Sequence, residues 1–320
     1  MLNATRFLLL LAVFFTPLIG ETFNFGYEQA KVIFFIFLIS ITFIFWLLGK
    51  PKLKWDLVKT FSLIFIIALL ITSLTGLNFN NSLWGTEPYF QGWITYFYLF
   101  IFSLMVSSLK IPLKYYAFAL TASALVVSSV ALEDWILKNL LGYNVVNYAG
   151  RVVSTFGQPN FYAGFLLLTL PLSYYLKGFG GFGGFFSVLG ILASESRSAI
   201  LLMMILLILM LVNQFKFKFL IGVFVYSLII FSAVAGLYFS SGIIGNEVSK
   251  PAAAINPDLT RESVEKRAYI WPATLQVINE KPIMGQGLEN INPSFSNYFK
   301  NNFYDLFEAN QKVSPVLLSL

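Results

Sequence analysis

Five arginines and no histidine set the chemistry open to this chain. Arg6 stands at the N-terminus, while Arg151, Arg197, Arg261 and Arg267 fall in polar stretches beside or after apolar runs. A guanidinium is a planar fork of donors that grips phosphate through two parallel hydrogen bonds. In "RVVSTFGQPNFYAGF", Arg151 lies upstream of Thr155, Gln158 and Asn160, with Gly157 and Gly164 where backbones could approach. In "LASESRSAILL", Arg197 stands among Ser194, Glu195, Ser196 and Ser198. In "RESVEKRAYIW", Arg267 shares a helical stripe with Val264, Ala268 and Trp271, and a charge inside an apolar stripe is unusual. Hydroxyls, amides and arginine together suit an anionic, hydroxyl-rich ligand. Plainer readings stand beside this one. Pro159 and Asn160 suit the first turn and N-cap of a helix starting at Phe161. Arg197 could snorkel and pair with Glu195. Arg261 and Lys266 are expected to be solvated, and Glu262–Lys266 reads as i, i+4 helix support. Without cysteine there is no disulfide, no thiolate metal site and no cysteine nucleophile.

The elements that must carry these residues are membrane helices. The chain has 320 residues, 58% hydrophobic and 11% charged, where soluble domains carry about 25% charge. The apolar residues come in runs near 7–19, 31–49, 58–76, 92–109, 112–132, 161–176, 181–193, 199–213 and 217–240. At about 17–25 residues per span, these make about nine spans of an all-α, polytopic helix bundle. They do not alternate as barrel strands do. The first run, behind Arg6, lacks a signal-peptidase site and is read as an uncleaved span. With the N-terminus in the cytoplasm, the inner loops hold Lys50, Lys52, Lys54, Lys59, Lys110, Lys114, Lys177, Lys216 and Lys218. The outer loops before residue 241 hold Lys31, Lys138, Arg151 and Arg197. This is the positive-inside distribution. The net charge of +6 is therefore topological and does not argue for nucleic acid. Lysine sets the orientation, and every arginine after Arg6 falls on the opposite, outer face.

Residues 1–240 form the expected transmembrane bundle and 241–320 an extracytoplasmic loop region. Segment 133–160, with Trp135, Ile136, Leu140 and Leu141, is expected to lie on the membrane surface. "GFGGFGGFF" over 178–186 reads as a flexible turn at the inner face. In 241–320, Val264, Ala268, Trp271, Leu275 and Ile278 recur at helical spacing, Pro272 should kink that helix, and "KPIMGQGLENI" supplies a turn.

These stretches together resemble the O-antigen ligase-like membrane protein family of O-antigen ligases, O-antigen polymerases and protein O-oligosaccharyltransferases. "RVVSTFGQPNFYAGF", "SESRSAIL" and "EKRAYIWPATLQVINEKPIMGQGLENI" are similar to its motifs in order and spacing, with Gln158 where Asn is commoner. "SLWGTEPYFQGW" resembles a further, weaker one. The resemblance implies a GT-C-like fold and a metal-independent, inverting glycosyltransferase in the cytoplasmic membrane. The donor would be a glycan on undecaprenyl diphosphate, and the acceptor a hydroxyl of a glycan, lipid or protein, with membrane lipid around both. By motif, Arg197 and Arg267 would clamp the diphosphate, and Arg151, Gln158, Asn160 and Trp271 would bind substrate.

Family members carry a His-Asn motif after the "GQGLENI" region, followed by further spans. This sequence has no histidine, and a C-terminally incomplete member is the expectation. Two other functions fit an arginine-lined outer face: a transporter or flippase of lipid-linked sugars, and an inactive fragment or scaffold. A transporter would be expected to show internal repeats, and none is visible.

Overall fold

The computed structural model describes residues 1–22, 25–143, 147–148, 151–214, 274–275 and 277–291. The helices are α1 (Leu2–Phe15), α2 (Tyr27–Leu48), α3 (Leu57–Leu74), α4 (Phe79–Trp84), α5 (Trp93–Leu109), α6 (Leu113–Asn139), α7 (Pro159–Leu176), α8 (Phe179–Ala193) and α9 (Arg197–Gln214). A two-residue antiparallel hairpin, β1 (Asn147–Tyr148) and β2 (Arg151–Val152), pairs Asn147 with Val152 and Tyr148 with Arg151. Helices lie over the first eight of the expected apolar runs. The ninth, 217–240, lies outside the described residues. Among the described residues, α2, α3 and α6 are long and apolar enough to cross a membrane. α1, α5, α8 and α9 are apolar but shorter. α7 has 18 residues, its apolar content diluted by Pro159, Asn160, Pro171 and Tyr side chains.

The chain divides into two compact units, one of residues 1–9, 28–110 and 255–320, the other of 10–27 and 111–254. In the first unit, α2 and α5 are tied by Trp46 Nε1 donating to Ser108 Oγ (2.7 Å) and by the Ser40–Tyr98 hydroxyl pair (2.9 Å). Trp93 Nε1 donates to the carbonyl of Ile66 in α3 (3.0 Å). Asp56 caps α3 by accepting from the Lys59 amide (3.0 Å) and pairs with the Lys59 ammonium. Those hydrogen bonds, the side-chain one first, hold the Asp56 carboxyl below the usual carboxylate range. The Lys281–Asn290 segment is fastened to the α3–α5 connection. The Leu77 amide donates to the Gln286 carbonyl (3.0 Å) and Ser82 Oγ to the Leu288 carbonyl (2.9 Å). Glu289 accepts from Thr86 Oγ1 (2.7 Å) and from the Gln91 amide (3.2 Å). Buried Asn290 donates to Ser82 Oγ (2.8 Å).

In the second unit, α6, α7 and α8 meet along small residues. The buried face of α8 is Gly180, Gly183, Ser187 and Gly190, joined by Ile191. α6 presents Ala117, Thr121, Ala124, Ser128 and Ala131, and α7 presents Ala163, Thr169 and Ser173. A Cβ on Gly180 would overlap the Ser173 carbonyl, one on Gly183 would overlap Thr121, and one on Gly190 would overlap the Tyr162 hydroxyl. Thr121 and Ser173 share a hydrogen bond between α6 and α7 (3.1 Å). Small faces allow the close backbone approach that drives helix association in lipid.

The structure differs from two expectations. After Gly178, the stretch to 186 is the first half of α8, not a flexible turn, because Gly180 and Gly183 pack against neighbouring helices. The fifth apolar run does not stop at 132: α6 continues to Asn139, so Trp135 and Ile136 belong to it rather than to a separate surface segment. The described residues are mostly helical, as expected, with the β1–β2 hairpin as a short addition.

Overpacking a tight contact costs about 1–3 kcal/mol. Gly180→Ala is therefore expected to lower the thermal midpoint of the detergent-solubilised protein. Gly181→Ala, whose Cβ meets nothing within 4 Å, is the control and should match or exceed the parent. Equal midpoints for Gly180→Ala and the parent would contradict this packing.

Candidate functional site

Two of the polar stretches converge in the second unit. Gly157, at φ 67°, reverses the chain after the Ser154–Phe156 turn and presses on the Tyr27 ring, where a Cβ would clash. α7 starts at Pro159, the usual place for proline in a helix. Asn160 therefore lies within the first turn and is not the N-cap expected for a helix starting at Phe161. Gln158 occupies the cap position and makes no side-chain cap bond. Its Oε1 is buried without a hydrogen-bond partner among the described residues.

On the other side, α8 ends at Ala193 and α9 begins at Arg197. The turn between them is made by Glu195 in the left-handed region, at φ 52°. Ser194 Oγ donates to the Ile191 carbonyl (2.6 Å), and the Ser196 amide donates to Ser194 Oγ (3.2 Å). Both serines are buried, 0% and 2% exposed, whereas Arg197 is exposed.

Arg151 joins the two sides. Its Nε donates to the Ser194 carbonyl (3.1 Å) and its Nη2 to Asn160 Oδ1 (3.2 Å). The same Asn160 oxygen accepts from Ser196 Oγ (2.9 Å). One carboxamide oxygen thus receives a guanidinium and a hydroxyl, and one guanidinium spans α7 and the α8–α9 turn. The arrangement holds a positive charge in a set place beside the N-terminus of α9, where Arg197 follows Ser196 directly.

Not every residue of these stretches takes part. Thr155 Oγ1 donates to the Pro17 carbonyl (2.7 Å), a bracing bond away from Arg151. Gly164, expected to allow a close approach, faces open space. Arg267 and Trp271 lie outside the described residues, as do Arg261, Lys266 and Pro272. Ser194 lies three residues before Arg197 in the sequence. Its role as the carbonyl acceptor for Arg151 has no sequence signal, because any residue there offers a backbone carbonyl. In the first unit, "SLWGTEPYFQGW" and "GQGLENI" meet through Ser82, Thr86, Gln91, Leu288, Glu289 and Asn290.

Residues 182–314 match the O-antigen ligase family model. Over that stretch the chain resembles the O-antigen ligases. The matched stretch begins inside α8 and takes in Ser194, Ser196, Arg197, Arg267 and Asn290, while Arg151 and Asn160 precede it. No curated protein and no solved structure matches the chain. The O-antigen ligase match and helices of this length and apolarity together support a membrane protein of polysaccharide biosynthesis. The family implies a glycosyltransferase-like ligase or polymerase that takes a lipid-linked glycan donor and a glycan or lipid acceptor.

The geometry of this ligase-like chain makes Arg151 a bridge whose loss should be felt in stability. A hydrogen bond from a charged group contributes about 1.5–3 kcal/mol. Arg151→Ala should lower the thermal midpoint accordingly. Asn160→Asp, which sets a carboxylate against the guanidinium, should keep the parent midpoint. Unchanged stability of Arg151→Ala would show that the bridge does not hold α7 to the α8–α9 turn.

Proposed function

We propose that this protein transfers a glycan from an undecaprenyl-diphosphate donor to an acceptor hydroxyl at the outer face of the cytoplasmic membrane. The observation that carries the reading is the convergence of two arginine-bearing stretches, distant in sequence, on Asn160, with Arg151 held by two acceptors and Arg197 next to Ser196. The O-antigen ligase match over 182–314 supports the same reaction class. The lysine distribution supports a cytoplasmic N-terminus and outward-facing arginines.

In the proposed reaction, the acceptor oxygen bonds to the anomeric carbon as the bond from that carbon to the phosphate oxygen breaks. The configuration inverts, the bonding pair leaves with the diphosphate oxygen, and the acceptor proton passes to water at the outer face. Negative charge grows on the leaving diphosphate. Donors fixed in advance where charge develops stabilise that state most. Arg197 and Arg267 are assigned to the diphosphate without a metal. Arg151 and Asn160 shape the site between them, Gln158 offers its buried carboxamide, and Trp271 contributes an apolar face for the donor. Lysine would retain the charge but lose the planar fork.

Substituting Arg197 or Arg267 by Ala is expected to lower transfer roughly ten- to a hundred-fold, at about 1.4 kcal/mol per factor of ten. Lys at either position should also impair it. Because both grip one leaving group, the double variant should lose less than the product of the single losses. The assay reconstitutes the protein with a lipid-linked donor and an acceptor, with folding checked separately. Normal turnover by both Lys variants would refute the diphosphate role. Asn160→Asp should lose transfer despite its retained fold, since its carboxylate repels the diphosphate.

A further inference from the structure

The turn after Lys281 presents apolar side chains that the proposed transfer does not use. Pro282, Ile283 and Met284 are all exposed, Ile283 by 90%. With Thr75 and Lys281 they line a shallow apolar hollow of about 330 Å³. Two observations say what lies against this turn. Lys281 Nζ donates to the carbonyl of Thr75 (3.0 Å), the residue that caps α3. α3 is long and apolar enough to cross a membrane, so the turn sits at the end of a span. The adjoining α3–α5 connection also exposes Phe79, Trp84 and Tyr89, and aromatic side chains gather where membrane meets water.

The turn is braced. The Gly285 amide donates to the Lys281 carbonyl (2.9 Å), and the segment that follows is fastened through Gln286, Leu288, Glu289 and Asn290. Ile283 is therefore held away from the protein by a fixed scaffold. Beside the end of a span, exposed apolar side chains enter the boundary between acyl chains and headgroups. A lysine there lays its stem along them and keeps its ammonium among the phosphates, where anionic lipid attracts it.

We infer that Pro282, Ile283 and Met284 form a wedge inserted into the bilayer surface at the end of α3, with Lys281 meeting anionic phospholipid headgroups. This rests on the membrane reading of α3 and stands apart from the transferase assignment. Because the sequence has no cysteine, Ile283→Cys provides a single labelling site in the full chain. The label is an environment-sensitive fluorophore. The protein is reconstituted in phosphatidylethanolamine–phosphatidylglycerol vesicles. Blue-shifted emission, quenched by nitroxide-labelled lipid and shielded from aqueous iodide, is the expected result. Water-like emission quenched by iodide overturns the insertion. Protection from both quenchers, as beneath a protein partner, overturns it too. Lys281→Gln keeps a donor for the Thr75 carbonyl but removes the charge. It should reduce lipid quenching in phosphatidylglycerol-containing vesicles and leave it unchanged in phosphatidylcholine alone. Identical quenching of both proteins in both lipids would overturn the headgroup contact.

Discussion

The missing Cβ atoms of Gly180, Gly183 and Gly190 are the constraint on which the second unit depends. In lipid, helices gain little from hiding apolar surface from one another, and close contact between small faces takes its place. With α8 pressed against α7 along its length, the antiparallel pair becomes a ruler. α7 has 18 residues and α8 has 15, which at 1.5 Å per residue are about 27 and 22 Å long. The pair is joined at one end through Lys177 and Gly178. Its other end necessarily brings Asn160 level with Ser194 and Ser196. The Arg151 bridge is thus a product of helix packing far from it, and its two acceptors are set by the ruler rather than by local turns alone.

This explains how the sequence could be read correctly in part and wrongly in part. The apolar runs announce their helices because lipid demands length and apolarity together. The glycine run of α8 does not announce itself, since glycine is a poor helix former in water and its compensation lies on α6 and α7. The fifth apolar run ends at 132, just before Glu133 and Asp134, yet α6 continues to Asn139 because a helix need not stop where the apolar run does. The position of Asn160 was missed by a turn's fraction because proline at 159 is itself a good first helical residue. Arg151, Asn160 and Ser196 were all legible as polar groups of the right kind. Their linkage was not, because separations of 36 and 43 residues are closed by tertiary contact alone.

The first unit repeats the lesson over a longer separation. "SLWGTEPYFQGW" and "GQGLENI" are about two hundred residues apart, and their bonds span separations of 198 to 208. Each stretch carries its own turn chemistry, with Gly285 and Gly287 at positive φ. Glu289 shows what sequence cannot say about a charged residue. Its carboxylate serves a hydroxyl and an amide, so here the acid is a fastener.

α6 has a consequence for the membrane itself. Its 27 residues amount to about 40 Å, against a hydrocarbon core of about 30 Å. If Leu113–Leu132 fills that core, residues 133–139 stand about 10 Å beyond it, and the Arg151 hairpin follows from that overhang. The height of Arg151 above the acyl chains is then a property of the bilayer as much as of the protein. In a thicker membrane the overhang sinks, in a thinner one α6 must tilt, and hydrophobic mismatch of this kind costs fractions of a kcal/mol per ångström. The depth at which this arginine meets lipid phosphates would be adjusted by membrane composition, without any change in the chain.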